Sequence, residues 1–343
     1  MALPLHLLRW PDEPRERLAL EGGRLTCGGR VAASWKPDER RLAWRISLPD
    51  ELARRVEGER RKFDRVAREL RSSLRREPDG PWHRSPWLLP REIEPLLESH
   101  PELAEVAGRT VLDLGGTSPI AWRFVRSGAS LHQVDVSPET QRVALARLEL
   151  QEADTGAVWL HTAPAERLPF RDGVFDLVFS RHSVHHLARP EAFDEIRRVL
   201  RPDGYLVAFE PWMRLPMRLL MRLSRRLRGV DRGTDDPLGP RDRVELARRF
   251  GLVDLRPTGI ATPLAGRVAR RATWLSPWVL RLTRLEARIG TLPGPGRHLA
   301  TRAVLVARGE AAEPPAAVGR GPATRGGAGR PRPGPPPPPR PGS

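Results

Sequence analysis

Residues 110–118 read Thr-Val-Leu-Asp-Leu-Gly-Gly-Thr-Ser: a short apolar run that stops at a carboxylate and two glycines. Such a run predicts a buried strand that turns tightly into a helix. The pattern then repeats. Apolar runs at 131–135, 158–162, 175–180 and 205–210 alternate with helical periods at 120–127, 138–152 and 190–200. Ser137-Pro138 offers an N-cap followed by proline at the first helical position, and Arg189-Pro190 repeats the proline. Strands and helices in alternation predict an α/β fold, a doubly wound, mostly parallel sheet with helices on both faces. Sheets of this kind bind ligands at the carboxyl ends of their strands, where the strand order reverses.

Two acids stand at those ends. Asp113 precedes Gly115 and Gly116, and Asp135 closes the next strand 22 residues later. Glycines let backbone approach a ligand, although tight turns also use them for geometry alone. A carboxylate at the adjacent strand tip can accept both ribose hydroxyls of a nucleoside, or it can simply favour the next helix's N-terminus. Together they point to a nucleoside cofactor. A dinucleotide would need Gly-x-Gly-x-x-Gly for its pyrophosphate, and this turn lacks it. A negative charge at Asp113 repels pyrophosphate and suits a ligand with an ammonium and a sulfonium. S-adenosylmethionine is favoured over NAD.

Three stretches then carry a family resemblance: VLDLGG (111–116), VDVSPE (134–139) and AERLPFRDGVFDLVFSRHSVHHLARPEAFDEIRRVLRPDGYLVAFEP (165–211). They resemble the small-molecule class I methyltransferases, including the quinone-ring methylating enzymes, whose fold is Rossmann-like. A weaker similarity runs through 233–256 to 301–309, so the domain is expected over 91–310. The resemblance implies S-adenosylmethionine held by Asp113, Gly115, Gly116, Thr117, Asp135, Val136, Ala165 and Ser180. It also places Arg181 and His182 beside the cofactor, with His185 and His186 shaping the substrate side. These histidines are the candidate catalytic residues, because imidazole removes protons near neutral pH. Glu210, at a strand tip, is a further candidate. The three histidines have no adjacent carboxylate or cysteine to complete a metal set, and no metal is expected.

The chain also departs from the family pattern. The glycine loop is one residue short, with Ser118 at the last glycine position. Pro164 stands where an Asp often binds the adenine amino group. One lost charge-assisted hydrogen bond costs about 1.5–3 kcal/mol, which weakens binding more readily than it abolishes it. The expected function is methyl transfer to a small or lipid-linked acceptor. A non-catalytic scaffold of the same fold, with weakened cofactor binding, is the alternative, and an NAD-dependent enzyme is a third.

The chain has 343 residues and a net charge of +17, from 59 Lys plus Arg against 42 Asp plus Glu. All but Lys36 and Lys62 of the basic residues are arginines, spread through every segment, while aromatics are few. A groove for single-stranded nucleic acid interleaves the two, so no nucleic acid partner is expected. One cysteine, Cys27, excludes an intrachain disulfide. With no apolar run of about 18 residues and no signal-like N-terminus, a cytoplasmic protein is expected. Residues 1–90 read as an N-terminal extension: strand-like pieces around Gly22, Gly23, Gly28 and Gly29, a charged helix over 50–76, and a linker at 78–90. A degenerate zinc ribbon near Cys27 is one reading of it. From Glu313 to Ser343, 18 of 31 residues are Pro or Gly, and 311–343 is expected to be a disordered tail. Between them, 212–228 holds six arginines and no acid, with Met213, Met217 and Met221 recurring every four residues. That reads as an amphipathic helix inserted in the domain. It is expected either to pack on the domain as a lid or to meet the anionic inner face of a membrane as well, since the two are compatible.

Overall fold

The computed structural model describes residues 3–76, 104–116, 121–150, 154–214, 236–251, 253–258 and 301–309, with isolated positions between 218 and 285. Contacts group the chain into 1–312 and 313–343, and the second unit, the expected tail, lies outside the described residues. So do the 78–90 linker and most of 212–228.

The alternation read from the sequence becomes five parallel strands. They are β5 (Thr110–Leu114), β6 (Ser130–Asp135), β7 (Val158–Thr162), β8 (Phe175–Arg181) and β9 (Leu200–Pro211). Their order is β7-β6-β5-β8-β9, so the winding reverses between β5 and β8, where Leu114 pairs with Ser180. Near-continuous apolar runs suit strands buried on both faces. Val111, Leu131, Leu177 and Val207 pack to one side, and Leu112, Val134, Val178 and Leu206 to the other. Beyond β9 the sheet ends in two antiparallel strands, β11 (Arg302–Arg308) and β10 (Val253–Thr258).

Around this sheet lie α2 (Ala121–Arg126), α3 (Pro138–Leu150), α4 (Arg189–Val199) and α5 (Pro240–Arg249). Ser137 caps α3 as its sequence suggests, its Oγ accepting the Thr140 N–H at 3.0 Å. Pro190 sits in the first turn of α4.

The first 76 residues depart from the reading as an extension. Strands β1 (Ala19–Glu21), β2 (Arg24–Cys27), β3 (Arg30–Lys36) and β4 (Arg41–Trp44) form an antiparallel meander, and β4 pairs parallel to β7. Among the described residues the sheet therefore has eleven strands. Gly22-Gly23 and Gly28-Gly29 all have φ between +53° and +76°, the left-handed backbone that two-residue hairpins need. Leu25, Ala33 and Leu42 join the main core, which holds the meander against the edge of β7. The zinc-ribbon reading gives way to this packing. Cys27 is buried against Trp10 and Ala32, with its Sγ 3.8 Å from the Glu13 carbonyl. No metal-binding cluster is found among the described residues.

Next comes α1 (Asp50–Arg76). Val56, Phe63, Val66, Ala67 and Leu70 recur at helical spacing. Ala67 and Leu70 pack with Val143 of α3. This helix lies over the carboxyl ends of the strands.

Candidate active site

A cavity of about 300 Å³ opens at the reversal point between β5 and β8. Its floor is the turn after β5. Gly115 has φ +94°, and a Cβ there would lie 1.7 Å from Ser183 Oγ, so only glycine fits. At Gly116, φ +54°, a Cβ would lie 2.9 Å from Thr140 Cγ2 and 3.2 Å from Asp135 Oδ2. The two glycines let the turn press against the tip of β6 and the loop after β8. Thr117 lies outside the described residues.

Asp135 lines the cavity at the tip of β6, with one carboxylate oxygen accepting the Ser137 N–H at 2.7 Å. It keeps part of its surface on the cavity, yet the surrounding protein strips its hydration. Burial pushes its pKa up to about 7, with Asp113 and Asp64 adding like-charge repulsion. Asp113 does not line the cavity. It is wholly buried below the turn, where Oδ2 accepts the Gln133 amide at 2.9 Å and Oδ1 has no hydrogen-bond partner. Burial pushes Asp113 as well up to about 7. Val136 and Ala165 line the cavity, and Pro164 lies between Ala163 and Ala165, which both do.

The histidines part company. His182 and His186 line the cavity, and His185 does not. His182 adopts φ +55°, rare for a side chain with a Cβ, and its N–H donates to the Phe209 carbonyl at 2.9 Å. Burial pushes its pKa down to about 3, so it is neutral. His185 turns inward, its Nδ1 2.7 Å from Glu210 Oε2. A carboxylate only accepts, so Nδ1 carries the proton. Glu210 Oε1 accepts three more hydrogen bonds, from Ser180 Oγ at 3.1 Å and from the Ser183 and Val184 N–H groups at 3.0 Å each. Burial raises the Glu210 pKa, but the His185 hydrogen bond and charge outweigh it and leave it below the usual range. Ser180, His185 and Glu210 therefore stand behind the cavity wall and fix the loop that carries His182 and His186.

The opposite wall is α1, which the sequence reading did not bring to the site. Arg55, Val56, Glu59, Phe63, Val66, Ala67 and Leu70 all face the cavity. Arg55 Nη2 donates to the carbonyls of His186 and Leu187 at 2.8 and 2.6 Å, tying the helix to the histidine loop. Asp64 Oδ1 accepts the Ser137 hydroxyl at 2.6 Å, tying it to the tip of β6. Glu166 completes the rim, with Oε1 accepting the Ala188 N–H and a pKa raised by burial. The available signal was the apolar stripe of α1, broken by an acid at Glu59.

An acid beside a close-approach glycine turn, facing an apolar wall, fits an adenosine-bearing cofactor. Asp135 can accept from a ribose diol, and Gly115, Val136 and Ala165 line the cavity beside it. A methyltransferase-domain family matches residues 112–208. The chain is 32% identical over 112 residues to the ubiquinone/menaquinone biosynthesis C-methyltransferase UbiE of Ruegeria sp., covering 32% of this chain and 44% of that one. It is 34% identical over 152 residues to an uncharacterized methyltransferase of Mycobacterium bovis, covering 44% and 57%. The chain thus spans about half the length of the curated relatives it matches. Among solved structures, geranyl diphosphate C-methyltransferase from Streptomyces coelicolor aligns with TM-score 0.43 and 16% identity, over 62% of this chain and 73% of that one. Over its central residues the chain is therefore similar to class I S-adenosylmethionine-dependent methyltransferases.

Proposed function

We propose that this protein transfers a methyl group from S-adenosylmethionine to a small acceptor held between the histidine loop and α1. One observation supports the reading: Asp135 and Gly115 line the same cavity as His186. Bound there, S-adenosylmethionine would supply an electrophilic methyl group. The chain's part is alignment of the acceptor and exclusion of water. Calorimetric titration with S-adenosylhomocysteine tests it, with NAD as the control. Binding of the first and not the second is expected. No heat with either would leave a non-catalytic scaffold of the same fold.

For the acceptor, the apolar wall of Val56, Phe63, Val66 and Leu70 favours a hydrophobic or lipid-linked molecule. Peripheral contact with an anionic membrane belongs to the same reading. Among the described residues no helix is long and apolar enough to cross a membrane. At the helical positions described after β9, Leu219, Leu220 and Leu223 are exposed, as is Arg226. Arg218 is engaged internally, 2.7 Å from Asp236. Arg226 is exposed, and a basic residue near an anionic surface contributes roughly 1 kcal/mol. Flotation with anionic and neutral liposomes decides it. Wild type should float with anionic vesicles only, and changing Leu219, Leu220 and Leu223 together to Ser should weaken flotation at high salt most. Equal behaviour with both vesicles removes the membrane contact and keeps the rest.

A further inference from the structure

Glu59 is out of place by composition. It interrupts the apolar stripe of α1, is buried, and lines the cavity rather than facing solvent. Its Oε2 lies 3.5 Å from His186 Nδ1 and 3.7 Å from Lys62 Nζ. The His186 ring is gripped from two further sides. Phe63, one turn on from Glu59, meets it edge-on with centroids 5.1 Å apart, and the His185 ring lies 4.0 Å away. His185 is itself fixed by Glu210. The loop below cannot drift either, because Arg55 holds the carbonyls of His186 and Leu187.

Resting on the methyl-transfer reading, we propose that Glu59 is a positioning residue that orients His186 as the proton acceptor for a hydroxyl-bearing methyl acceptor. With a carboxylate beside Nδ1, the ring proton sits on Nδ1 and the lone pair on Nε2. Separations of this kind are often long before the substrate complex forms and tighten within it. The electron balance is simple. The acceptor's O–H proton passes to His186 Nε2, and the oxygen's electron pair forms the new bond to the methyl carbon. The carbon–sulfur bond breaks with its pair going to sulfur, and the imidazolium beside Glu59 later gives its proton to water. Removing a proton in this way is worth about 10²–10⁴-fold in rate. His182 also lines the cavity, but burial holds its pKa down to about 3, which makes it the weaker base.

The test needs no knowledge of the natural acceptor. Histidine-¹⁵N-labelled protein is studied by long-range ¹H–¹⁵N correlation at pH 8, with and without S-adenosylhomocysteine, and His186 is assigned from H186N. Wild type should show the Nδ1–H tautomer. E59L should move His186 toward the Nε2–H tautomer, and E59D should restore it. A His186 already in the Nε2–H form, or one unmoved in E59L, overturns the proposal. A second arm adds 4-nitrophenol as probe to the S-adenosylhomocysteine complex at pH 6. The phenolate absorbance should rise in wild type and E59D, fall several-fold in E59L and vanish in H186N. No rise in wild type overturns the proton-accepting role. Should S-adenosylhomocysteine itself fail to bind, the cofactor reading falls, while the tautomer result on free protein still judges the pairing of Glu59 with His186.

Discussion

At the scale of single residues, the two strand-tip acids have separate tasks. Asp113 is sealed under the glycine turn, whereas Asp135 faces the cavity, and both are held near a pKa of about 7 by burial. A ribose diol donates to a carboxylate, so ligand binding favours the ionised form of Asp135. Affinity for S-adenosylhomocysteine should therefore rise with pH through about 7, and binding at pH 6 should release close to one proton. Titrations in buffers of different ionisation enthalpy measure this directly, and heats that do not depend on the buffer would count against it. D135N should lose about 10–100-fold in affinity, the worth of a charge-assisted hydrogen bond, and should also lose the proton release. Both acids were visible in the sequence as strand-end carboxylates. Their different burial was not, because it depends on Gln133 and on how closely Gly116 lets the turn approach.

Among the elements, the loop after β8 and helix α1 divide the site between them. The loop is shaped from behind by Glu210, whose two oxygens receive four hydrogen bonds from Ser180, Ser183, Val184 and His185. E210Q leaves a buried donor set facing an amide that can accept fewer of them. A hydrogen bond to a charged group is worth about 1.5–3 kcal/mol. Urea denaturation of E210Q should show a loss of that order, together with weaker ligand binding. A loss below about 1 kcal/mol would mean the loop is held by other contacts. The parallel strands were legible because each is a short apolar run ended by a turn signal, and four of the five lie within two residues of their expected bounds; β9 begins five residues early, at Leu200 in place of 205. The Gly-Gly hairpins of the first 44 residues were legible only as strand-like pieces. Their attachment to β7 depends on an eleven-strand order that local pattern does not encode. The same holds for α1. Its apolar stripe announces a buried face, but only the tertiary fold says that the face covers the ligand site.

Over the whole molecule, buried ionisable groups of opposite type set how stability follows pH. His132 and His161 lie 3.0 Å apart between the rings of Trp159, Phe170 and Phe175, and Trp44 Nε1 donates to His161 Nδ1 at 3.2 Å. That donation leaves the His161 proton on Nε2, pointing at His132 Nδ1, so the pair is neutral and ordered. Burial pushes His132 down to about 3 and His161 well below its ordinary value, and His182 is likewise down to about 3. A histidine whose folded pKa is depressed favours unfolding as pH falls below about 6.5, since only the unfolded chain takes the proton. Asp113 and Asp135, raised to about 7, act in the opposite sense. Between roughly pH 4 and 6.5 they bind protons in the folded state alone and stabilise it as pH falls, and Glu166, also raised, adds to this. Three histidines against three carboxyls leave a shallow dependence in that window. Below about pH 4.5 the carboxyls have no more to give, and the lowered Glu39 and Glu210 begin to be lost along with the histidines. Urea denaturation should thus give nearly equal stabilities at pH 6.5 and 5.5 and a steep fall below 4.5. D135N removes one of the opposing protons, so its stability should drop by an additional 1.4 kcal/mol or so for each pH unit between 6.5 and 4.5. A steep loss in wild type between pH 6.5 and 5.5, or a D135N profile parallel to wild type, would mean that Asp135 stays ionised in the free protein and that its proton does not balance the histidines.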